Sequence, residues 1–292
     1  MLHDYQDKWG VDQWAAFLTA QELPSMARSK MLLVALEESK GDALSAKELA
    51  AIAVSDPFLC LRLLREAEKR RSRRLGRDTT TPLAAVMQLG VTAFRELLSS
   101  SPETDTENPG LAACESRAVL ASQLSVLWVS ARSDIAPEEI ALATLLAECG
   151  ELLLWSFAPE LPQAAADALA AGRAARSAQA QELACGFRFR DLTLKCASIW
   201  ELPPLLAQLI QGVDHVRANI CRLCVDTARH LAAGPDNPAL PDDLAQAKRL
   251  IPQASLSWLA SHLIGLDDEQ RANVIRKAEE TIARPPAGSD AA

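Results

Sequence analysis

Apolar residues recur at helical spacing through most of the chain and alternate nowhere for long. The clearest run starts at Pro137, where positions 142, 145, 146, 149, 152 and 153 are apolar, and it predicts one helix across residues 137–155. Start and stop signals frame the others. Leu23-Pro24 leads into a helix carrying Met31, Leu32, Ala35 and Leu36 that stops near Gly41. Ser45 and Glu48 form a capping box for a short helix, and Asp56-Pro57 supplies an N-cap with proline at the first helical position. The apolar face that follows is Leu59, Cys60, Leu63, Leu64 and Ala67. Thr81-Pro82 opens a helix ended by Gly90, and a brief one follows through Phe94, Leu97 and Leu98.

Further along, the pattern predicts helices over 112–133, 159–172, 182–199, 213–233, 243–265 and 267–283, with a restart at Pro203-Pro204. Residues 99–110 hold no apolar side chain and read as a linker. A count of about a dozen helices and no strand predicts an all-α protein with helix packed on helix. The 292 residues exceed the usual size of one compact domain, so two lobes are expected. We divide the chain into an N-terminal helical lobe (1–105), a second helical domain (106–235) and a C-terminal helical extension with a tail (236–292).

Composition narrows the setting. Hydrophobic residues make up 49% and charged residues 23%, the balance of a globular chain without a membrane role. No uninterrupted apolar run reaches the roughly 18–20 residues that span a bilayer, and the first ten residues are too polar for a signal peptide, so a cytoplasmic protein is expected. Seven cysteines, an odd number scattered through helical segments, argue against a disulfide framework. Cys221 and Cys224 have the Cys-x-x-Cys spacing but no second pair, and read as two small core residues one turn apart.

The net charge of −8 disfavours nucleic acid as a partner. One window runs the other way: from Arg62 to Arg77 eight basic residues face two acidic ones, a local +6 that leaves −14 for the rest. Arg70, Arg71, Arg73 and Arg74 are its densest part and the candidate face for an acidic protein partner or an anion. No aromatic side chain lies between Arg62 and Arg77, which argues against stacking on a single strand. No glycine-rich phosphate loop, Gly-x-Ser-x-Gly or His-Glu-x-x-His is present.

Several motifs fall in a familiar order. They are Leu23-Pro24, then Asp56-Pro57-Phe58-Leu59-Cys60-Leu61-Arg62-Leu63-Leu64, then the Thr81-to-Gly90 helix, then Gly186 fourteen residues before Trp200-Glu201-Leu202-Pro203. In this the chain resembles the HDOD family, helical relatives of His-Asp phosphohydrolases found mostly in bacterial signalling, from about Trp14 to about Ala283. The resemblance implies a metal-holding His-Asp pair in the 137–155 helix, but those positions are Ala147 and Glu148. The histidine the family often keeps three residues after the glycine is Phe189, and the upstream helix near Glu115 and Ser116 has none. After Trp-x-Leu-Pro only Asp214-His215 is at hand, and the family's Asn-Ser step is replaced by Glu68-Lys69-Arg70-Arg71-Ser72.

Alanine offers no donor atom, so a metal site built on this pair lacks a ligand outright. The resulting expectation is a non-catalytic regulatory module with no resident metal or cofactor, acting through a protein partner. The alternatives are a small-ligand or nucleotide sensor using the inter-lobe cleft, and a residual metal-dependent phosphohydrolase.

Overall fold

The computed structural model describes residues 8–70, 79–213 and 215–283. The described residues form α1 (Val11–Thr19), α2 (Ala27–Lys40), α3 (Ala46–Ala53), α4 (Pro57–Arg70), α5 (Pro82–Leu89) and α6 (Val91–Ser99). Then come α7 (Pro109–Val129), α8 (Pro137–Leu146), α9 (Cys149–Phe157), α10 (Glu160–Ala170), α11 (Ser177–Cys185) and α12 (Phe189–Ile199). The last are α13 (Pro204–Gln211), α14 (His215–Ala232), α15 (Leu240–Leu250), α16 (Leu256–Ser261) and α17 (Asp268–Ala283). The fold is all-α, and its one β feature among the described residues is an isolated parallel bridge between Ser25 and Glu103.

Local chemistry sets most helix starts. The Ser45 hydroxyl accepts the Glu48 N–H at 3.3 Å while the Glu48 carboxylate accepts the Ser45 N–H at 3.0 Å. Asp56 accepts the Leu59 N–H at 2.9 Å, and Thr81 accepts the Ala84 N–H at 3.2 Å.

Helices α2 to α6 pack together as a first lobe, with α4 against α5 and α3 against α5. The second lobe is centred on α7, which packs on α8, α9 and α14, while α9 lies against α12. The C-terminal helices attach through α15, which contacts α14, α16 and α17. Helix α1 precedes the first lobe in sequence yet packs mainly against α12. The buried apolar side chains form one continuous cluster from Trp14 to Ala278, with α4 touching both α7 and α8, so the two lobes share a core. The segment Pro137–Phe157 is long and apolar enough to cross a bilayer (21 residues, mean hydropathy 1.6), but 78% of its most apolar window is buried within this core.

Three sequence expectations change. The helix expected over 137–155 is broken at Ala147–Glu148, the one expected over 182–199 is divided at Gly186 (φ 77°), and the one over 243–265 becomes α15 and α16. A periodic apolar pattern runs through such breaks because both flanking helices bury the same side. Residues 99–110 are mostly exposed between α6 and α7, yet several of their groups are tied to the rest of the fold. Ser25 N–H donates to Pro102 O at 2.8 Å, Thr104 N–H donates to Ser25 O at 3.0 Å, and Lys30 Nζ donates to Ser101 O at 2.7 Å. Ser101 and Thr104 are buried, and Asn108 caps α7 through Leu111 N–H at 3.0 Å while reaching Trp155 O at 2.9 Å. These ties across the fold are ones that composition alone does not reveal.

Candidate functional site

The site is the step between α8 and α9. Thr144 turns its hydroxyl back onto Ile140 O (3.0 Å) and Ala141 O (2.9 Å), and Ala147 follows as the C-cap of α8. Three residues on, Gly150 lets α9 approach α12 directly. A Cβ at Gly150 would lie 2.5 Å from Phe189 O, and Gly150 N–H donates to Thr193 Oγ1 at 2.9 Å. The two contacts fix the turn and direct the Glu148 side chain inward, where it is 6% exposed.

Glu148 meets two arginines there. Arg229 of α14 donates from Nε to Glu148 Oε1 at 2.5 Å and also engages that oxygen with its terminal nitrogen. Arg117 of α7 lies 3.4 Å from Glu148 Oε2 and bonds Glu151 Oε1 at 2.7 Å. Arg229 also lies 3.7 Å from Glu151 Oε2, closing a quartet that ties α7, α9 and α14 together. Burial opposes the charge on both arginines, but Glu148 and Glu151 outweigh it and hold their pKa values above the ordinary arginine range. Cys114, one turn before Arg117, is buried beside the quartet; burial raises its thiol pKa, and the charges of Glu151 and Glu148 raise it further.

A divalent metal, which the resemblance to His-Asp phosphohydrolases implies, does not fit these residues. Ala147 contributes no donor, both oxygens of Glu148 face guanidinium groups, and a dication placed there would meet two fixed positive charges. Among the described residues no group of three or more His, Cys, Asp or Glu side chains is gathered to hold a metal.

Phe189, at the family's second histidine position, is buried at the start of α12, where its N–H donates to Gln181 Oε1 at 3.0 Å. Glu115 is turned away from the quartet towards Asp56 and Arg28 of the first lobe, and Ser116 is exposed. His262 packs edge-on against Trp258 with ring centroids 4.4 Å apart. Cys221 and Cys224 are both buried thiols on α14.

Sequence reasoning missed His230. Its Nδ1 lies 2.6 Å from Asp243 Oδ2 across the loop after α14, and that hydrogen bond raises its pKa, with burial opposing. Asp226, one turn earlier on the same helix, was the available signal.

The basic window divides in two. Arg62 is half-buried and donates to Leu23 O at 2.5 Å and Leu97 O at 3.3 Å, while the Arg65 guanidinium lies 4.6 Å over the Trp200 ring. These two belong to the packing between α4 and its neighbours, not to a docking face. Lys69 pairs with Glu66 at 2.7 Å. Arg70 is exposed at the end of α4; Arg71, Arg73 and Arg74 lie outside the described residues.

The whole architecture has solved counterparts. The chain is similar to the MmoQ response regulator of Methylococcus capsulatus strain Bath, at 22% identity and a TM-score of 0.63, over 88% of this chain and 99% of that one. It is also similar to a virulence factor of Campylobacter jejuni, at 15% identity and a TM-score of 0.69, over 90% and 100% of the two chains. At these identities the likeness speaks for the fold alone. No functionally curated protein matches the sequence. The HDOD domain model matches residues 23–216, which takes in both lobes and the Ala147–Glu148 turn, and the chain belongs to the HDOD domain family.

Proposed function

We propose that this protein is a non-catalytic signal-transduction module of the bacterial cytoplasm that works by contacting another protein. The observation that carries the reading is the quartet at the α8–α9 step. Two guanidinium groups supply the positive charge that a dication would supply, and they leave no open coordination position for an activated water. A structural counterpart named as a response regulator supports a signalling role. The basic run Arg70, Arg71, Arg73 and Arg74 is the proposed face for an acidic partner, since it stands out from a chain of net charge −8; of these, Arg70 is exposed at the end of α4.

The test is direct. Protein purified without chelators should carry well under one equivalent of Fe, Mn or Zn, and should not hydrolyse phosphomonoesters or cyclic dinucleotides. A full equivalent of metal, removed by chelation together with a hydrolytic activity, would overturn the reading. Partner capture from native lysate, compared between wild type and a variant with Arg70, Arg71, Arg73 and Arg74 replaced by Glu, tests the docking face.

A further inference from the structure

An open pocket of about 200 Å³ lies on the first lobe, and none of its lining residues belongs to the quartet. Glu22 and Leu23 line it from the segment between α1 and α2, Arg62, Arg65 and Glu66 from α4, and Leu97 from α6. Its volume is below that of drug-sized sites and suits a smaller molecule.

Opposite charges line this pocket without meeting. Arg62 is anchored by two carbonyls, Leu23 O at 2.5 Å and Leu97 O at 3.3 Å, and Arg65 by its stacking 4.6 Å over the Trp200 ring. Neither arginine forms an ion pair among the described residues, Arg65 forms no hydrogen bond there either, and the Nε of each is buried without a partner. Glu66 is committed to Lys69 at 2.7 Å, while the exposed Glu22 makes no hydrogen bond or ion pair among the described residues. The charges act on one another only at a distance. Burial lowers the pKa of both arginines, Glu22 and then Glu66 oppose it at Arg62, and Glu66 opposes it at Arg65. A half-buried guanidinium without an acceptor is costly, and the anchors keep both arginines from closing the gap to Glu22 themselves.

We propose that this pocket binds a free α-amino acid with a short aliphatic side chain. The carboxylate pairs with the guanidinium of Arg65, whose planar fork matches it. The ammonium meets Glu22 and the carbonyl oxygen of Gln21, whose Nε2 is already taken by Phe17 O at 3.0 Å. The side chain lies on Leu23 and Leu97. A simple anion would leave Glu22 unmatched and a simple cation would leave Arg65 unmatched, whereas a zwitterion answers both.

The pocket also sits at a joint in the fold. Trp200, at the end of α12, donates from Nε1 to Thr19 O at 3.3 Å while Arg65 stacks on its ring, and Arg62 holds Leu23. A ligand spanning Arg65 and Glu22 therefore fastens the segment after α1 to α4, where the first lobe meets α12. Such a clamp gives a protein-contacting module a small-molecule input, and it stands or falls independently of whether the quartet excludes metal.

The experiment is calorimetric titration of the full chain with L-alanine, L-valine and L-leucine, with the melting temperature at rising ligand concentration as a second readout. Saturable one-to-one binding of at least one of the three is expected, with a matching rise in melting temperature. The deaminated and decarboxylated analogues of the tightest binder (isovalerate and isobutylamine for L-valine) should each bind at least about tenfold more weakly, the loss expected for one charge-assisted hydrogen bond. Glu22→Gln, at an exposed position that leaves the fold alone, should weaken the amino acid by a similar factor and leave the deaminated analogue unchanged. Arg65→Lys, which keeps the charge and removes the fork, should weaken both. Failure of all three amino acids to saturate, equal binding of either analogue, or wild-type affinity in Glu22→Gln each overturns the proposal.

Discussion

Glu115 makes stability depend on pH in a direction that can be worked out. It is 4% exposed on α7, its Oε1 has no hydrogen-bond partner, and burial raises its pKa to about 7, with the Asp56 charge adding and Arg28 opposing. In the unfolded chain the same group titrates near 4.5. A carboxyl raised on folding prefers to be protonated in the native state. Its cost is therefore absent below the unfolded value, accumulates as pH rises, and levels off above the folded value. At about 1.4 kcal/mol per unit the full effect is about 3 kcal/mol, and roughly 2.5 kcal/mol of it falls between about pH 5 and pH 8.5. The perturbation is Glu115→Gln, which keeps the shape and removes the charge. Urea unfolding of both proteins at the two pH values gives four free energies, and the difference of differences isolates this group from Asp56, Asp226 and His230. Wild type should lose about 2.5 kcal/mol more than the variant on going to the higher pH. Parallel losses in the two proteins would refute the reasoning and mean that Glu115 reaches solvent in the native state.

Three further expectations concern named contacts. Glu148→Gln should cost about 3 kcal/mol in urea unfolding, because it leaves two partly buried guanidinium groups short of a counter-charge, and the loss should shrink when Arg229→Met is added; strictly additive losses would mean that the quartet is not a coupled unit. Gly150→Ala should cost about 2 kcal/mol or more, since the new Cβ meets backbone 2.5 Å away at Phe189 O and helix α9 must move; a neutral result would show that α9 and α12 are not held this closely. Replacing Arg70, Arg71, Arg73 and Arg74 together by Glu should slow partner association and flatten its salt dependence; an unchanged on-rate would remove this segment as the docking face.

What the sequence revealed and what it hid follow one physical division. Helix starts were legible because their chemistry is local: Ser45 with Glu48, Asp56 with Leu59 and Thr81 with Ala84 all lie three residues apart. That Ala147 offers no donor atom was legible too, since its side chain has none wherever it sits. The fates of charged and polar groups that bond across the fold were hidden. Nothing in the composition of residues 99–110 points to the backbone bonds with Ser25, and Arg62 and Arg65 looked like part of a basic surface until Leu23, Leu97 and Trp200 closed around them.

The site depends on contacts of the same long-range kind. Arg117 reaches Glu148 across 31 positions and Arg229 reaches it across 81, so the pair reads in sequence as two unremarked helix arginines. Together they bring the same +2 charge as a divalent ion, opposite the carboxylates of Glu148 and Glu151. That balance explains how the helices at this step stay packed: the carboxylates keep counter-charges, so their burial is compensated. It also means that the residue at position 147 is only part of what keeps a metal from this step. With Glu148 held by two fixed cations, a donor restored at Ala147 would still face a closed ion-pair network, and an open metal position would require the arginines to leave as well.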